Sequence, residues 1–245
     1  MTLGKGVEGV VFGAIFDVGG TLIYSNHQHF EHANAWAAAL TLRGWGYNLE
    51  GETFARDLVE LRRRSPKEGE DFRQINTTSE ALIEVTKRYG IRLGKEEVGR
   101  LERAFYTPEI EGSVALPGIE EVVRALQLHV KLAVISNTRS HHLIDGTVRK
   151  LGVRECFHPF ITSAAFGFRK PSSKLFEAVL EAWQLPAESV VMVGDSLRKD
   201  IAPARALGMR TLWQKMDVEA DDDIRPDAVA KEPGSVLRII SSWDF

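Results

Sequence analysis

The sequence predicts a doubly wound α/β fold, a parallel sheet with helices on both faces, broken after its first strand by an all-helical insertion. Three observations predict it. Val10–Asp17 (VVFGAIFD) and Val130–Ser136 (VKLAVIS) are short, continuous, β-branched apolar runs, the pattern of strands buried on both faces. Only helical patterns lie between them. After Pro117, strand-like and helix-like segments alternate, as parallel βαβ units require.

The elements follow in chain order. The first strand is Val10–Asp17, and the insertion carries four helices, Asn26–Arg43, Gly51–Arg64, Thr77–Tyr89 and Lys95–Tyr106. Gly44, Pro66, Gly90 and Pro108 punctuate them. A helix over Gly118–Leu128 precedes the Val130–Ser136 strand. Next come a helix over Ser140–Leu151, a short strand near Phe160–Thr162 and a helix over Ser172–Trp183. The strand Ser189–Val193, the helix Leu197–Leu207 and the strand Arg210–Trp213 complete the alternation. Residues 226–229 are read as a last strand and Gly234–Ser242 as a last helix. The division expected is a core of residues 1–23 and 116–245, with residues 24–115 as the insertion.

Composition narrows the function classes. The 245 residues are 44% hydrophobic and 27% charged, which fits a globular chain and excludes disorder as the main state. No window reaches 18 uninterrupted apolar residues, so no membrane span is expected. Lys plus Arg total 31 and Asp plus Glu 34, a net charge of −3 that disfavours nucleic acid as a partner. The single cysteine, Cys156, leaves no internal disulfide and fits a reducing compartment. The first twenty residues break their apolar run with Glu8, glycines and Asp17, unlike a secretory signal. A cytoplasmic protein, monomer or homodimer, is expected.

In doubly wound sheets, ligands bind beyond the carboxyl ends of the strands. The first strand ends in Asp17-Val18-Gly19-Gly20-Thr21, the second in Ser136-Asn137-Thr138 and the fourth in Gly194-Asp195-Ser196. Lys170 follows the third strand, and Asp200 lies five residues after Asp195. Bringing Asp17 and Asp195 together is costly without a cation between them. Oxygen ligands alone favour a hard ion such as Mg²⁺. Ser136, Lys170 and strand-end amides then hold an anionic group against that ion, and Asp17 is placed as a carboxylate nucleophile. Gly20, Asn137 and Lys170 are the candidate substrate contacts. The glycines allow a tight turn and close approach of a phosphate.

Taken in order, FDVGGTL, ISNT, the lysine of FRKPSSKLF and VGDSLRKDIAPARALGM resemble the motifs of the haloacid dehalogenase superfamily over nearly the whole chain. The insertion after the first motif resembles the helical C1 cap of subfamily I. The resemblance implies a Rossmann-like core and an aspartyl-enzyme intermediate on Asp17, with Ser136 and Lys170 on the phosphoryl group. It implies Mg²⁺ held by Asp17, Asp195 and the Gly19 carbonyl, with Asp200 in support. The expected substrate is a small phosphorylated metabolite.

One position departs from that pattern. Phosphatases of the family usually carry an acid/base aspartate two residues after the nucleophile, and here it is Gly19. Haloacid dehalogenases proper also lack it, because halide leaves without a proton, but they are metal-free and lack the Asp195–Asp200 signature. The alternatives are therefore a 2-haloacid dehalogenase, or a catalytically weak binding or regulatory protein. His27, His29 and His32, at the entry to the insertion, are candidate replacement acid/base groups, with His29 and His32 on one helix face, and His141 and His142 are candidate substrate contacts. Arg62-Arg63-Arg64 reads either as a lure for anionic substrates or as a solvated helix end. Cys156, Trp36 and Trp45 read as packing residues.

Overall fold

Side chains alternate across a strand, so a strand buried on both faces must be apolar at every position. That is the case for β1 (Gly13–Phe16), in which Ala14 and Phe16 join one apolar cluster and Ile15 the other. The structure is a computed structural model that describes residues 10–25, 27–64, 69–215 and 223–243. Residues 1–9, Asn26 and Pro66, named in the sequence expectations, lie outside the described residues. The sheet has six strands in the order β3-β2-β1-β4-β5-β6, with every neighbouring pair parallel. The remaining strands are β2 (Lys131–Ser136), β3 (Phe160–Thr162), β4 (Val190–Gly194), β5 (Arg210–Gln214) and β6 (Ala228–Ala230).

This order places the topological switch point at β1, where one connection leads to β2 on one side and the chain later returns to β4 on the other. Phe16 is in register with both Val134 and Val193, so the next residue of each strand opens at one edge. The Val10–Asp17 run contributes only Gly13–Phe16 as strand. Its partners begin at Lys131 and Val190, opposite Gly13.

Helices cover both faces. Leu175, Phe176, Val179 and Trp183 of α8 (Lys174–Trp183) pack on Ile15, Ile135 and Met192. On the other face, α5 (Ile119–Leu126), α6 (His141–Lys150) and α10 (Pro233–Ser241) supply Val123, Ile144 and Val236. Two short helices, α7 (Ser163–Phe166) and α9 (Ala202–Ala206), complete this part.

The insertion comprises α1 (His27–Gly44), α2 (Gly51–Arg64), α3 (Thr78–Arg88) and α4 (Lys95–Gly112). Here α1 packs against α2 and α4, and α3 against both α2 and α4. The boundaries of α3 follow from its cap: the Thr77 hydroxyl accepts from the Glu80 N–H while the Glu80 carboxylate accepts from the Thr77 N–H. The two connections to the sheet lie side by side. The Tyr24 N–H donates to Val114 O (3.0 Å) and the Leu116 N–H to Leu22 O (2.9 Å).

Two sequence expectations need correction. The fourth helix was expected to stop at Tyr106, before Pro108, but α4 runs to Gly112. Its last turn is held by tertiary contact, with buried Glu109 bonded to Asn34 of α1, and this outweighs the missing proline N–H. The helix expected over Leu197–Leu207 begins instead as a widened π turn, Leu197–Ile201, followed by α9. There the Asp200 carboxylate accepts the Ser196 N–H (3.0 Å), so a side chain occupies the start of the helix.

Candidate active site

Each candidate residue occupies a place that its strand dictates. Asp17 directly follows β1, with its N–H bonded to Val193 O of β4 (3.0 Å). Ser136 ends β2, and Asp195 follows β4. Three separated stretches of chain thus reach one edge of the sheet, and the 167–170 segment after α7 adds a fourth.

Lys170 is the centre of the arrangement. Its side chain is 2% exposed, and its Nζ lies 2.8 Å from Asp17 Oδ1 and 2.6 Å from Asp200 Oδ1. It also donates to Ile135 O (2.9 Å), one residue before Ser136. A buried ammonium is tolerated only when paired and bonded in this way. Burial acts against its charge, but Asp17 and Asp200 outweigh it and hold the Lys170 pKa above its usual value. Asn137 fixes the backbone at this point. Its Nδ2 donates to Lys170 O (2.9 Å) and its Oδ1 accepts the Lys170 N–H (2.8 Å).

Asp17, Asp195 and Asp200 each offer a carboxylate oxygen, and these three atoms lie within 4.8 Å of one another. One lysine does not neutralise three carboxylates at that range. Burial, followed by the charges of Asp17 and Asp200, pushes Asp195 up to about 7. Burial raises Asp200 to about 6 despite its contact with Lys170, with Asp17 adding to the rise. A divalent cation among these oxygens relieves the repulsion, and the all-oxygen donor set fits Mg²⁺. The cluster therefore fits the metal that the sequence implied.

Two glycines make room for the cluster. Gly20 has φ +81°, and a Cβ there would lie 2.2 Å from Asp195 Oδ2. A Cβ on Gly194 would meet Asp200 Cγ at 2.5 Å. Gly20 thus stands against Asp195, whereas Gly19 faces the cavity.

That cavity has a volume of about 560 Å³ and is lined by Asp17, Gly19, Ser136, Asn137, Lys170, Asp195 and Asp200. The insertion supplies much of the remaining wall, including Asn34, Arg62, Tyr106 and Glu109. Glu109 is buried, and its carboxylate accepts from Asn34 Nδ2 at 2.6 Å. Sequence reading missed Asn34, Glu109 and Tyr106, because nothing in a helical pattern distinguishes a cavity-lining polar residue from an exposed one. It also missed Arg139 and Arg169, although each directly adjoins a motif.

The other candidates lie elsewhere. His29 is exposed, and exposed His32 bonds Glu52 at 3.0 Å. His141 Nδ1 pairs with Thr162 Oγ1 (2.9 Å) outside the cavity lining, and half-buried His142 is held below its usual pKa by burial. Trp36, Trp45 and Cys156 pack against the core as expected.

Comparison with known proteins agrees with this geometry. The model of the haloacid dehalogenase-like hydrolase family matches residues 13–208. A ribulose-1,5-bisphosphate 5-phosphatase of Halopiger xanaduensis is 26% identical over 89% of this chain and 90% of its own. The pyrimidine 5'-nucleotidase YjjG of Escherichia coli is 32% identical over 48% of this chain, and the match spans about half (52%) of that relative. Among solved structures, a 2-haloacid dehalogenase of Pseudomonas syringae pv. Tomato DC3000 superposes with a TM-score of 0.71 at 22% identity, covering 96% of this chain and all (100%) of that one. The magnesium-bound HAD-hydrolase YfnB of Bacillus subtilis gives 0.60 at 22% identity, covering 94% and 99%. With a sheet of this order, acidic and basic groups gathered at its switch point, and a family match over most of its length, the chain belongs to the haloacid dehalogenase-like hydrolases.

Proposed function

We propose that the protein is a Mg²⁺-dependent phosphatase of small phosphorylated metabolites, working through a phosphorylated Asp17. The observation that carries this reading is the contact of Lys170 with Asp17 and Asp200 beside the third carboxylate, Asp195. The phosphatase names among the relatives support it.

Asp17, Asp195, the Gly19 carbonyl and Asp200 would hold the metal. When bound, it supplies charge to balance the phosphoryl oxygens and the carboxylates. A carboxylate oxygen of Asp17 attacks phosphorus, a new O–P bond forms, and the bond to the leaving alcohol breaks. Lys170, Ser136 and the amides of Gly19 and Asn137 hold the phosphoryl oxygens, whereas the Gly20 N–H is bonded to Ile23 O (2.7 Å). With Gly19 in the acid/base position, the leaving alkoxide takes its proton from solvent; water later attacks phosphorus unaided, the Asp17 O–P bond breaks to restore the carboxylate, phosphate leaves and the proton of water passes to solvent. Residues 24–115 act as the cap that shields the reaction from bulk water, over a core of residues 1–23 and 116–245. We read the enzyme as cytoplasmic, with its single cysteine suited to a reducing compartment. Among the described residues, no helix is long and apolar enough to cross a membrane.

The test is rapid mixing with p-nitrophenyl phosphate and Mg²⁺. The expected result is a burst of nitrophenol stoichiometric with enzyme, a slow steady phase and a phosphoryl adduct on the Asp17 peptide. EDTA abolishes the burst reversibly, and Asp17→Asn abolishes it outright. Full activity in EDTA, or activity in Asp17→Asn, defeats the reading. Gly19 also favours a second reading, 2-haloacid dehalogenation, because halide needs no proton. Chloride release from 2-chloropropionate without added metal would establish it.

A further inference from the structure

The Arg62-Arg63-Arg64 run at the end of α2 divides in the structure. Arg63 pairs with Glu31 at 2.7 Å, and Arg64 pairs with Glu60 one turn back. Arg62 is half-buried, lines the same cavity as Asp17 and Lys170, and is held by neutral groups among the described residues. Its Nη1 donates to Thr78 Oγ1 (2.7 Å) and its Nη2 to Tyr106 Oη (3.3 Å), and its guanidinium carbon lies 4.9 Å from the centre of the Phe105 ring. Thr78 and Tyr106 are buried and bonded to each other at 2.6 Å. Among the described residues, the guanidinium is therefore positioned by neutral hydrogen-bonding partners and forms no ion pair.

A second arginine is fixed beside it. Arg139 follows β2, three residues after Ser136, and is 7% exposed. Its Nη1 donates to the Arg62 carbonyl (2.9 Å), while its own carbonyl accepts the Thr78 N–H (2.9 Å). These reciprocal bonds join the insertion to the sheet at this point. Burial, and then the charge of Arg62, hold the Arg139 pKa below its usual value, against the opposing pull of Tyr106 and Glu31.

We propose that Arg62, with Arg139 beside it, forms a second anion subsite within the cavity, so that the preferred substrates are phosphomonoesters carrying a further carboxylate or phosphate. The inference rests on the phosphatase reading and names the substrate class for it. An arginine presents five N–H donors in a planar fork that matches both anions, and the two described side-chain bonds of Arg62 leave three for a ligand. The cavity also contains Glu31, already paired with Arg63, and Glu109, bonded to Asn34. Arg62 is a specificity residue in this account and takes no part in the chemistry at phosphorus.

The test uses three compounds of equal chain length: propyl phosphate, 3-phosphopropionate and propane-1,3-diyl bisphosphate. They differ only in the distal end, which is neutral, carboxylate or phosphate. Their kcat/KM values are measured with Mg²⁺ for the wild type, Arg62→Gln and Arg62→Lys. Their binding to Asp17→Asn and to Asp17→Asn/Arg62→Gln is measured by calorimetry. We expect the wild type to prefer at least one of the two compounds with a second anionic group over propyl phosphate by about tenfold or more, the usual range for a hydrogen bond to a charged group. Arg62→Gln brings that ratio close to one, Arg62→Lys leaves it in between, and the calorimetric ratio falls in parallel. Preference for 3-phosphopropionate identifies a carboxylate site, and preference for the bisphosphate a phosphate site. A wild type with no preference overturns the proposal. So does an Arg62→Gln variant that loses activity on all three compounds with the ratio intact, which is the signature of a purely structural arginine. If nothing is turned over at all, the phosphatase reading fails, and the calorimetric ratio still decides the subsite.

Discussion

Gly19 is the residue whose consequence is most specific. It lines the cavity two positions after Asp17, and its backbone is not in the left-handed region, unlike that of Gly20 at φ +81°. A side chain is therefore tolerated by the backbone at 19 and penalised at 20. On the mechanism proposed above, Gly19→Asp supplies an acid/base group, worth roughly 10²–10⁴ in rate. We expect kcat on propyl phosphate to rise within that range, with a much smaller gain on p-nitrophenyl phosphate, whose leaving group needs little help. Steady-state assays of both substrates check this, and equal gains or no gain would place the proton source elsewhere. At this scale the sequence was most legible where chemistry and backbone coincide: Asp17, Lys170 and Asp195 each adjoin a strand end or its following loop. Asn34 and Glu109 were not legible, because only the packing of α1 against α4 turns them into the cavity.

The connection between α2 and α3 illustrates what a single element adds. It returns to the sheet as a strap, in which Arg73 bridges Phe168, the Gln74 N–H donates to Gly167 O (2.9 Å) and the Arg169 N–H to Phe72 O (2.8 Å). The Gln74 side chain accepts from Arg169 Nη1 (2.5 Å) and lies 2.8 Å from the Ser163 hydroxyl, which itself accepts the Thr138 N–H (2.9 Å). The strap thus touches both segments that hold Asn137 and Lys170. Gln74→Ala removes the acceptor that Arg169 and Ser163 share, at a cost of about 1.5–3 kcal/mol, the usual worth of a hydrogen bond to a charged group. We expect a lower Tm and a raised KM for p-nitrophenyl phosphate, read by calorimetry and kinetics, and an unchanged variant would show the strap to be passive. No strand pattern announces such a contact, because a bridge of one residue has no periodicity. The π turn at Leu197–Ile201 escaped sequence reading for a related reason. Its cause is the Asp200 carboxylate on the Ser196 N–H, a tertiary demand of the site imposed on a helical sequence. The helices that were legible, α2 above all, carry one apolar face and clear end signals.

Across the whole molecule, the strand–helix alternation was enough to give the doubly wound architecture, since β1 and β4 are apolar throughout and helices such as α3 and α6 start at a side-chain cap. The alternation does not encode strand order. That order brings β1 beside β4 and so gathers charges that lie far apart in the chain. The gathering has a cost that depends on pH. Without metal, Asp195 at about 7 and Asp200 at about 6 bind protons more tightly in the folded chain than at the ordinary aspartate value of 3.8. Between about pH 4 and pH 7 the folded state holds more protons than the unfolded one, so these two groups lower stability as pH rises through that window. A bound divalent cation removes the repulsion, competes with those protons and stabilises only the folded state. The most direct measurement is the Tm of the protein with and without Mg²⁺ at pH 5 and pH 8. We expect a clear gain from Mg²⁺ at pH 8, a much smaller gain at pH 5, and loss of the pH 8 gain in Asp195→Asn. A Tm indifferent to Mg²⁺ at both pH values, or a gain that survives in Asp195→Asn, would contradict this.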